Sequence, residues 1–303
     1  MHSIKSNFDK IICILKDVLG ENFPVSGNLL PLRPGPKQKF TDVEVIALSL
    51  TSQCMTIESE NKLFHLLNSS YKKDFPHLIS RRQYNDRLKG LNPHIDEINK
   101  LIASKMDKNN NLYIVDSMPL EICSPSRKNR TTICKENPNC LPNKGYCAAQ
   151  KKHYYGFKLH TICNEQGTII KFDLTKASLH DIKFLEVEGK NFKDCMILGD
   201  KGYQSKKLTE DLLNHSNVVL QAPFKSNQKE KKPLIPGFGR KRKRIETVFS
   251  QLDDQFIIQK NFAKTFIGLT TRILSKITGM TILQYINKFI TKKPIGKIKY
   301  ALI

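Results

Sequence analysis

The sequence predicts an α/β domain preceded by an all-helical segment, on three observations. Two short apolar runs, Leu112–Val115 and Cys195–Leu198, each lead to an aspartate, Asp116 and Asp200, and read as buried strands. Between them, Tyr154–Asn164 and Thr168–Thr175 alternate apolar and polar residues around Gln166-Gly167, the pattern of a hairpin. Before residue 106, apolar residues recur instead at helical spacing.

In chain order, Ile4, Phe8, Ile11, Ile12, Leu15 and Leu19 line one face of a helix that Gly20 ends. The next twenty residues, rich in Pro and Gly with Arg33, Lys37 and Lys39, form a linker or basic loop. Thr41-Asp-Val-Glu44 is a capping box opening a helix over 42–53. A second helix spans Ile57–Leu67 and a third Ser80–Leu91, with a fourth from Pro93 to Met106. Three short helices with a basic third member resemble a helix-turn-helix, and Arg81, Arg82 and Arg87 are its candidate DNA contacts. The alternative is a helical bundle that merely packs on the α/β domain.

Pro119 closes the first strand segment, and residues 121–152 show no periodicity. They read as a basic insertion that faces DNA or is simply solvated. Helices are expected over Ser178–Glu188 and Lys206–His215, with a last strand over Val218–Ala222. Residues 224–244 are the most basic run, containing Arg240, Lys241, Arg242, Lys243 and Arg244. It leads into a helix whose Ile245, Val248, Phe249, Leu252 and Phe256 form one apolar stripe, with Glu246 on its border. Phe266–Phe289 reads as a final amphipathic helix for packing or self-association, and 292–303 as a loose basic tail.

Open α/β sheets place their chemistry at the carboxyl ends of strands. Two strand-end aspartates and a helix-borne glutamate offer hard oxygen ligands for Mg²⁺, and two such ions can flank a phosphoryl displacement. Each residue alone has an ordinary reading, as a turn aspartate or as a surface glutamate paired with Arg242.

The segments Ile114-Val-Asp-Ser-Met-Pro-Leu120, Tyr155-Gly-Phe-Lys-Leu-His160, Leu174-Thr-Lys-Ala177, His180-Asp181, Leu198-Gly-Asp-Lys-Gly-Tyr203 and Lys243-Arg-Ile-Glu-Thr-Val-Phe-Ser-Gln-Leu252 resemble bacterial insertion-sequence transposases of the DDE type. They are most similar to the group numbered nine-eight-two, in the same order up to about Phe289. The resemblance implies an RNase H-like mixed sheet flanked by helices and metal-dependent cutting and joining of DNA. It implies a catalytic, metal-binding triad of Asp116, Asp200 and Glu246 with two Mg²⁺ or Mn²⁺ ions. Lys201 and the Arg240–Arg244 run would hold phosphates. Relatives often carry Tyr, Arg, Glu and Lys around the glutamate; here Arg242 and Glu246 fit, while Gly239 and Asp253 occupy the outer places. The expected division is a helical DNA-binding domain over 1–106, a catalytic domain over 107–291 and the tail.

Fifty basic against 28 acidic side chains give a net charge of +22, which points to double-stranded DNA as partner. No apolar run is long enough to cross a membrane, and Ile11–Leu15 is too short and too charged at its flanks for a signal peptide. The eight scattered cysteines read as reduced thiols in a cytoplasm. Cys134, Cys140, Cys147 and His153 lack the tight pairs of a zinc site. End pairing implies a homodimer. The competing readings are a metal-dependent nuclease on the same core, an inactivated DNA-binding protein, and a zinc protein.

Overall fold

The computed structural model describes residues 3–24, 26–30, 38–108, 110–148, 150–224 and 233–302. The centre of the expected linker (31–37) and the first half of the basic run (225–232) lie outside the described residues. The chain divides into two compact units, Met1–Met106 with Leu252–Ile303, and Asp107–Gln251.

The first unit is helical. It contains α1 (Ile4–Leu19), α2 (Asp42–Cys54), α3 (Glu60–Ser70), α4 (Arg81–Gly90) and α5 (Asn92–Met106). Local sequence explains where these helices start. Thr41 and Glu44 cap α2 reciprocally, and Ser80 and Gln83 do the same for α4. Ser3 and Ser59 cap α1 and α3.

The C-terminal segment groups with these helices, whereas the expected catalytic domain runs on to residue 291. The reason lies in the unit's C-terminal helix, Phe266–Tyr285, which packs on α2 and α5. It is buried on nearly every face, polar Thr271, Ser275, Thr278 and Gln284 included, rather than along one stripe. Even Lys276 is buried; its ammonium donates to the Phe256 carbonyl, and burial pushes its pKa down to about 7. The expected loose tail also packs: Ile298, Ala301 and Leu302 are buried.

The second unit holds one mixed sheet: β1 (Leu112–Cys123), β2 (Asn143–Cys147), β3 (Lys152–Asn164), β4 (Ile169–Lys176), β5 (Cys195–Leu198) and β6 (Val218–Gln221). β3 lies antiparallel to β1, and its other side pairs antiparallel with β2 at one end and β4 along the rest. On the opposite side of β1, β5 and β6 run parallel. This mixed sheet, with α6 (Asp181–Glu188) and α7 (Lys206–Ser216) between its parallel strands, is the α/β architecture the sequence predicts. Phe184, Leu185, Leu208 and Leu212 from the two helices share one core with Tyr113, Val115, Ile162 and Ile197 of the sheet. The chain then enters α8 (Phe238–Asp254), and the last helix of the first unit is α9 (Phe266–Tyr285).

Two expectations need correction here. The first strand does not stop at Asp116 or Pro119; it continues to Cys123 because β3 goes on pairing with it. β5 pairs with β1 only as far as Ile114, so beyond that point no strand among the described residues continues along this edge of β1, where a sheet tolerates proline. Nor is 121–152 wholly irregular: Asn143–Cys147 forms β2, whose pairing Asn143↔Gly156 to Cys147↔Lys152 closes a hairpin.

Candidate functional site

Strand register places the two aspartates. β1 and β5 pair as Leu112↔Met196, Tyr113↔Ile197 and Ile114↔Leu198. Asp116 and Asp200 each follow two residues beyond the last of these pairs, near enough that the charge of Asp200 acts on Asp116. Side chains alternate along a strand. Tyr113 and Val115 belong to the α6–α7 core, so Asp116 faces the opposite side, where it meets Arg242 of α8.

The Asp116 carboxylate accepts a hydrogen bond from the Ser117 amide at 2.8 Å, and Arg242 Nη1 stands 3.4 Å from its other oxygen. Burial pushes its pKa up to about 6; the Ser117 amide and Arg242 pull it down, while Asp200 and Asp181 push it further up. Asp200 caps the short turn Lys201–Tyr203, accepting from the Gly202 amide at 2.7 Å.

Glu246 sits differently. It is on the exposed side of α8, 57% accessible, and its Oε1 lies 3.6 Å from Arg242 Nη2 one turn before it. Arg242 therefore stands between Asp116 and Glu246. The structure brings Asp116 and Asp200 together and links Glu246 to them only through this guanidinium. Among the described residues, no three His, Cys, Asp or Glu side chains form a ready cation cage, and the Cys134–Cys147 segment supplies none.

Two local features nevertheless suit a hard cation. A Cβ added at Gly202 would lie 2.9 Å from Asp200 Oδ1 and 3.6 Å from Asp181 Oδ2, so the glycine leaves a small cradle between two carboxylates. Among the described residues, the buried Tyr203 hydroxyl has no hydrogen-bond partner, and it lies under the charges of Asp181, Asp116 and Asp200. A buried orphan of this kind is what an ion or ordered water resolves.

The expected phosphate-binding cations separate into two sorts. Lys241 pairs with Glu165 at 2.6 Å, and Arg244 donates to the Gln166 carbonyl, so both tie α8 to the β3–β4 turn. Arg240, Lys243 and Lys201 are exposed. Arg240, Lys241, Lys243 and Arg244 also line a cavity of about 500 Å³ with Glu165 and Thr247. On α4, Arg81 and Arg82 are exposed, but Arg87 is not available to DNA. It donates to the Phe40 carbonyl at 2.6 Å and pairs at 2.5 Å with Asp42, whose side chain is fully buried. Its reading as a DNA contact gives way to a structural one.

Asp181 is the residue that sequence reasoning passes over. It lies in a segment that carries the resemblance, yet no spacing rule marks it, because α6 and the β1–β3 pair meet only in the fold. Its Oδ1 accepts from Ser117 Oγ at 2.8 Å and from Lys158 Nζ at 3.0 Å.

A family model described as a transposase DDE domain matches residues 106–264. No curated relative matches the chain. Among solved structures, the Mos1 transposase paired-end complex with left transposon end is similar at 14% identity, with a TM-score of 0.23, covering 88% of this chain and 84% of that one.

Proposed function

Since the family match takes in more than half of the residues, the chain belongs to the transposase DDE family, and we propose that it is the transposase of a bacterial insertion sequence, cutting and joining transposon-end DNA by metal-dependent phosphoryl transfer. The observation that supports this reading is the parallel register of β1 and β5, which leaves Asp116 and Asp200 each two residues beyond the last paired positions, Ile114 and Leu198, with Asp116 driven up by burial and by the charge of Asp200.

Asp116 and Asp200 would hold the divalent cations, Mg²⁺ or Mn²⁺, with Glu246 as the third carboxylate from α8. When bound, a pair of such ions supplies charge neutralisation on both the attacking and leaving oxygens. The protein's own residues supply the rest. The Ser117 amide fixes one Asp116 oxygen and the Gly202 amide one Asp200 oxygen, so both carboxylates are oriented before DNA arrives. Arg242 offsets charge between Asp116 and Glu246. The exposed Lys201, Arg240 and Lys243 would hold the phosphate backbone, with Arg81 and Arg82 as further contacts from α4. Lys241 and Arg244 shape this surface by holding the β3–β4 turn. The active form is a homodimer that pairs two ends.

The test is strand cleavage and strand transfer on a duplex carrying the element's terminal repeat, with Mg²⁺. Replacing Asp116, Asp200 or Glu246 by Ala should abolish both steps while duplex binding stays within a few-fold. An Asp200→Ala protein that still nicks its end overturns the assignment. A wild-type protein that nicks but never joins pre-cut ends to target DNA reduces the reading to a nuclease.

A further inference from the structure

We propose that Asp181 is a third aspartate of the cation site, acting from the first turn of α6 through its charge and its Oδ2 oxygen. This inference rests on the reading of Asp116 and Asp200 as the cation's carboxylates.

Three independent observations converge on it. The first is orientation. Ser117 Oγ and Lys158 Nζ both donate to Oδ1, and Lys158 is itself fixed by a 2.9 Å bond to the Leu179 carbonyl. A carboxylate held this way at one oxygen has little rotational freedom left, and the other oxygen is directed by default. That other oxygen, Oδ2, faces the cradle at Gly202, whose far wall is Asp200 Oδ1. The second is the Tyr203 hydroxyl, fully buried and lying where the charges of Asp181, Asp116 and Asp200 all reach it. A phenol held there has hydrogen-bonding capacity that no group among the described residues uses. A hydrated cation among the carboxylates would satisfy it.

The third is the way charge is arranged behind Asp181. His160 is buried, stacked on Phe184 with its Nδ1 3.7 Å from Asp181 Oδ1, and its Nε2 is engaged with Thr175 Oγ1 at 2.8 Å. Lys158 is the one lysine or arginine paired with Asp181 among the described residues. Against Asp116, Asp181 and Asp200, whose charges all reach Tyr203, the cations paired with them are Lys158 and Arg242. The site keeps an excess of negative charge that a divalent ion matches.

The experiment uses the full-length protein and Mn²⁺ alone, with free Mn²⁺ read by electron paramagnetic resonance and folding checked by circular dichroism. Asp181→Asn keeps the shape and the Ser117 bond but removes the charge. It should weaken Mn²⁺ binding by at least about tenfold, as Asp200→Asn does. Gly202→Ala, which fills the cradle, should weaken it as well. Lys158→Gln should act in the opposite direction and tighten binding, because it leaves Asp181 unneutralised. Glu186→Gln, on the exposed side of α6, should change nothing. Wild-type affinity in Asp181→Asn alongside lost affinity in Asp200→Asn overturns this inference and leaves the transposase site standing. Unchanged affinity in both, or no Mn²⁺ binding by the wild type, overturns both readings. Should Asp181→Asn fail to fold, Lys158→Gln and Gly202→Ala still decide: unchanged binding in both refutes the role of Asp181.

Discussion

Asp116 shows how one buried carboxyl couples the site to the stability of the fold. Its pKa stands at about 6 in the native state against an ordinary 3.8, chiefly through burial. The folded protein therefore holds this proton more tightly than the unfolded chain does. Between about pH 4 and 6 the native state binds more protons, so stability falls as pH rises, and above pH 6 the whole cost is present. Two pKa units correspond to roughly 3 kcal/mol as an upper bound. Asp116→Asn should thus stabilise the metal-free protein by about 1–3 kcal/mol at pH 8, and the gain should vanish below about pH 4. Urea unfolding at the two pH values measures it; an equal gain at both would sink the account. Arg242 pulls the same pKa down, so Arg242→Gln should extend the falling limb to higher pH. The aspartates themselves are legible in the sequence, because a short apolar run leading to a carboxylate between turn residues marks a strand near an edge. Asp181 and Arg87 are not. Their roles depend on partners 64 and 45 residues away, which periodicity does not encode.

At the scale of elements, β1 and β3 carry the site, and a glycine sets how closely they approach. A Cβ on Gly156 would stand 2.1 Å from the Leu120 carbonyl oxygen, a backbone atom that cannot swing away. The register of the pair shifts between Glu121 and Cys123, where Gly156 lies opposite. Gly156→Ala should therefore cost at least about 2 kcal/mol, because it forces the two strands apart at a bulge. Gly239 is the contrasting case. It lies exposed in α8 with nothing within 4 Å of an added Cβ. Gly239→Ala should stabilise by about 0.4–1 kcal/mol, through a less flexible unfolded chain and a better helix former. Thermal unfolding of the two variants should move the midpoint in opposite directions, and a shared direction would refute the backbone argument. Most elements can be read from sequence because capping boxes, hairpin turns and apolar stripes are local signals. β2 escapes because its Lys-Gly-Tyr-Cys sequence has no alternation of its own, and only pairing with β3 makes it a strand. α9 reads as a helix, but its amphipathic pattern misleads, because its polar face is buried by the helices around it.

For the whole molecule, the net charge of +22 matters only through the cations the fold leaves free. Arg87 is spent inside the helical unit on buried Asp42, and Lys241 and Arg244 hold the β3–β4 turn. Arg240 and Lys243 project from α8 into solvent. Each phosphate neutralised by such a side chain releases counterions, so the logarithm of the binding constant should fall linearly with the logarithm of salt, with a slope of about −0.9 per phosphate. Replacing Arg240 and Lys243 together by Ala should reduce the magnitude of that slope by roughly 1–2 and leave the unfolding midpoint nearly unchanged. Arg87→Gln should do the reverse. It strands the Asp42 carboxylate, costs about 3–5 kcal/mol of stability in the helical unit, and leaves the salt slope intact at temperatures where the variant stays folded. Binding isotherms on one duplex at several salt concentrations, set beside urea unfolding of the same proteins, separate the two groups of cations. If Arg87→Gln shifts the slope as much as the α8 pair does, the division between cations of the fold and cations of the DNA surface is wrong.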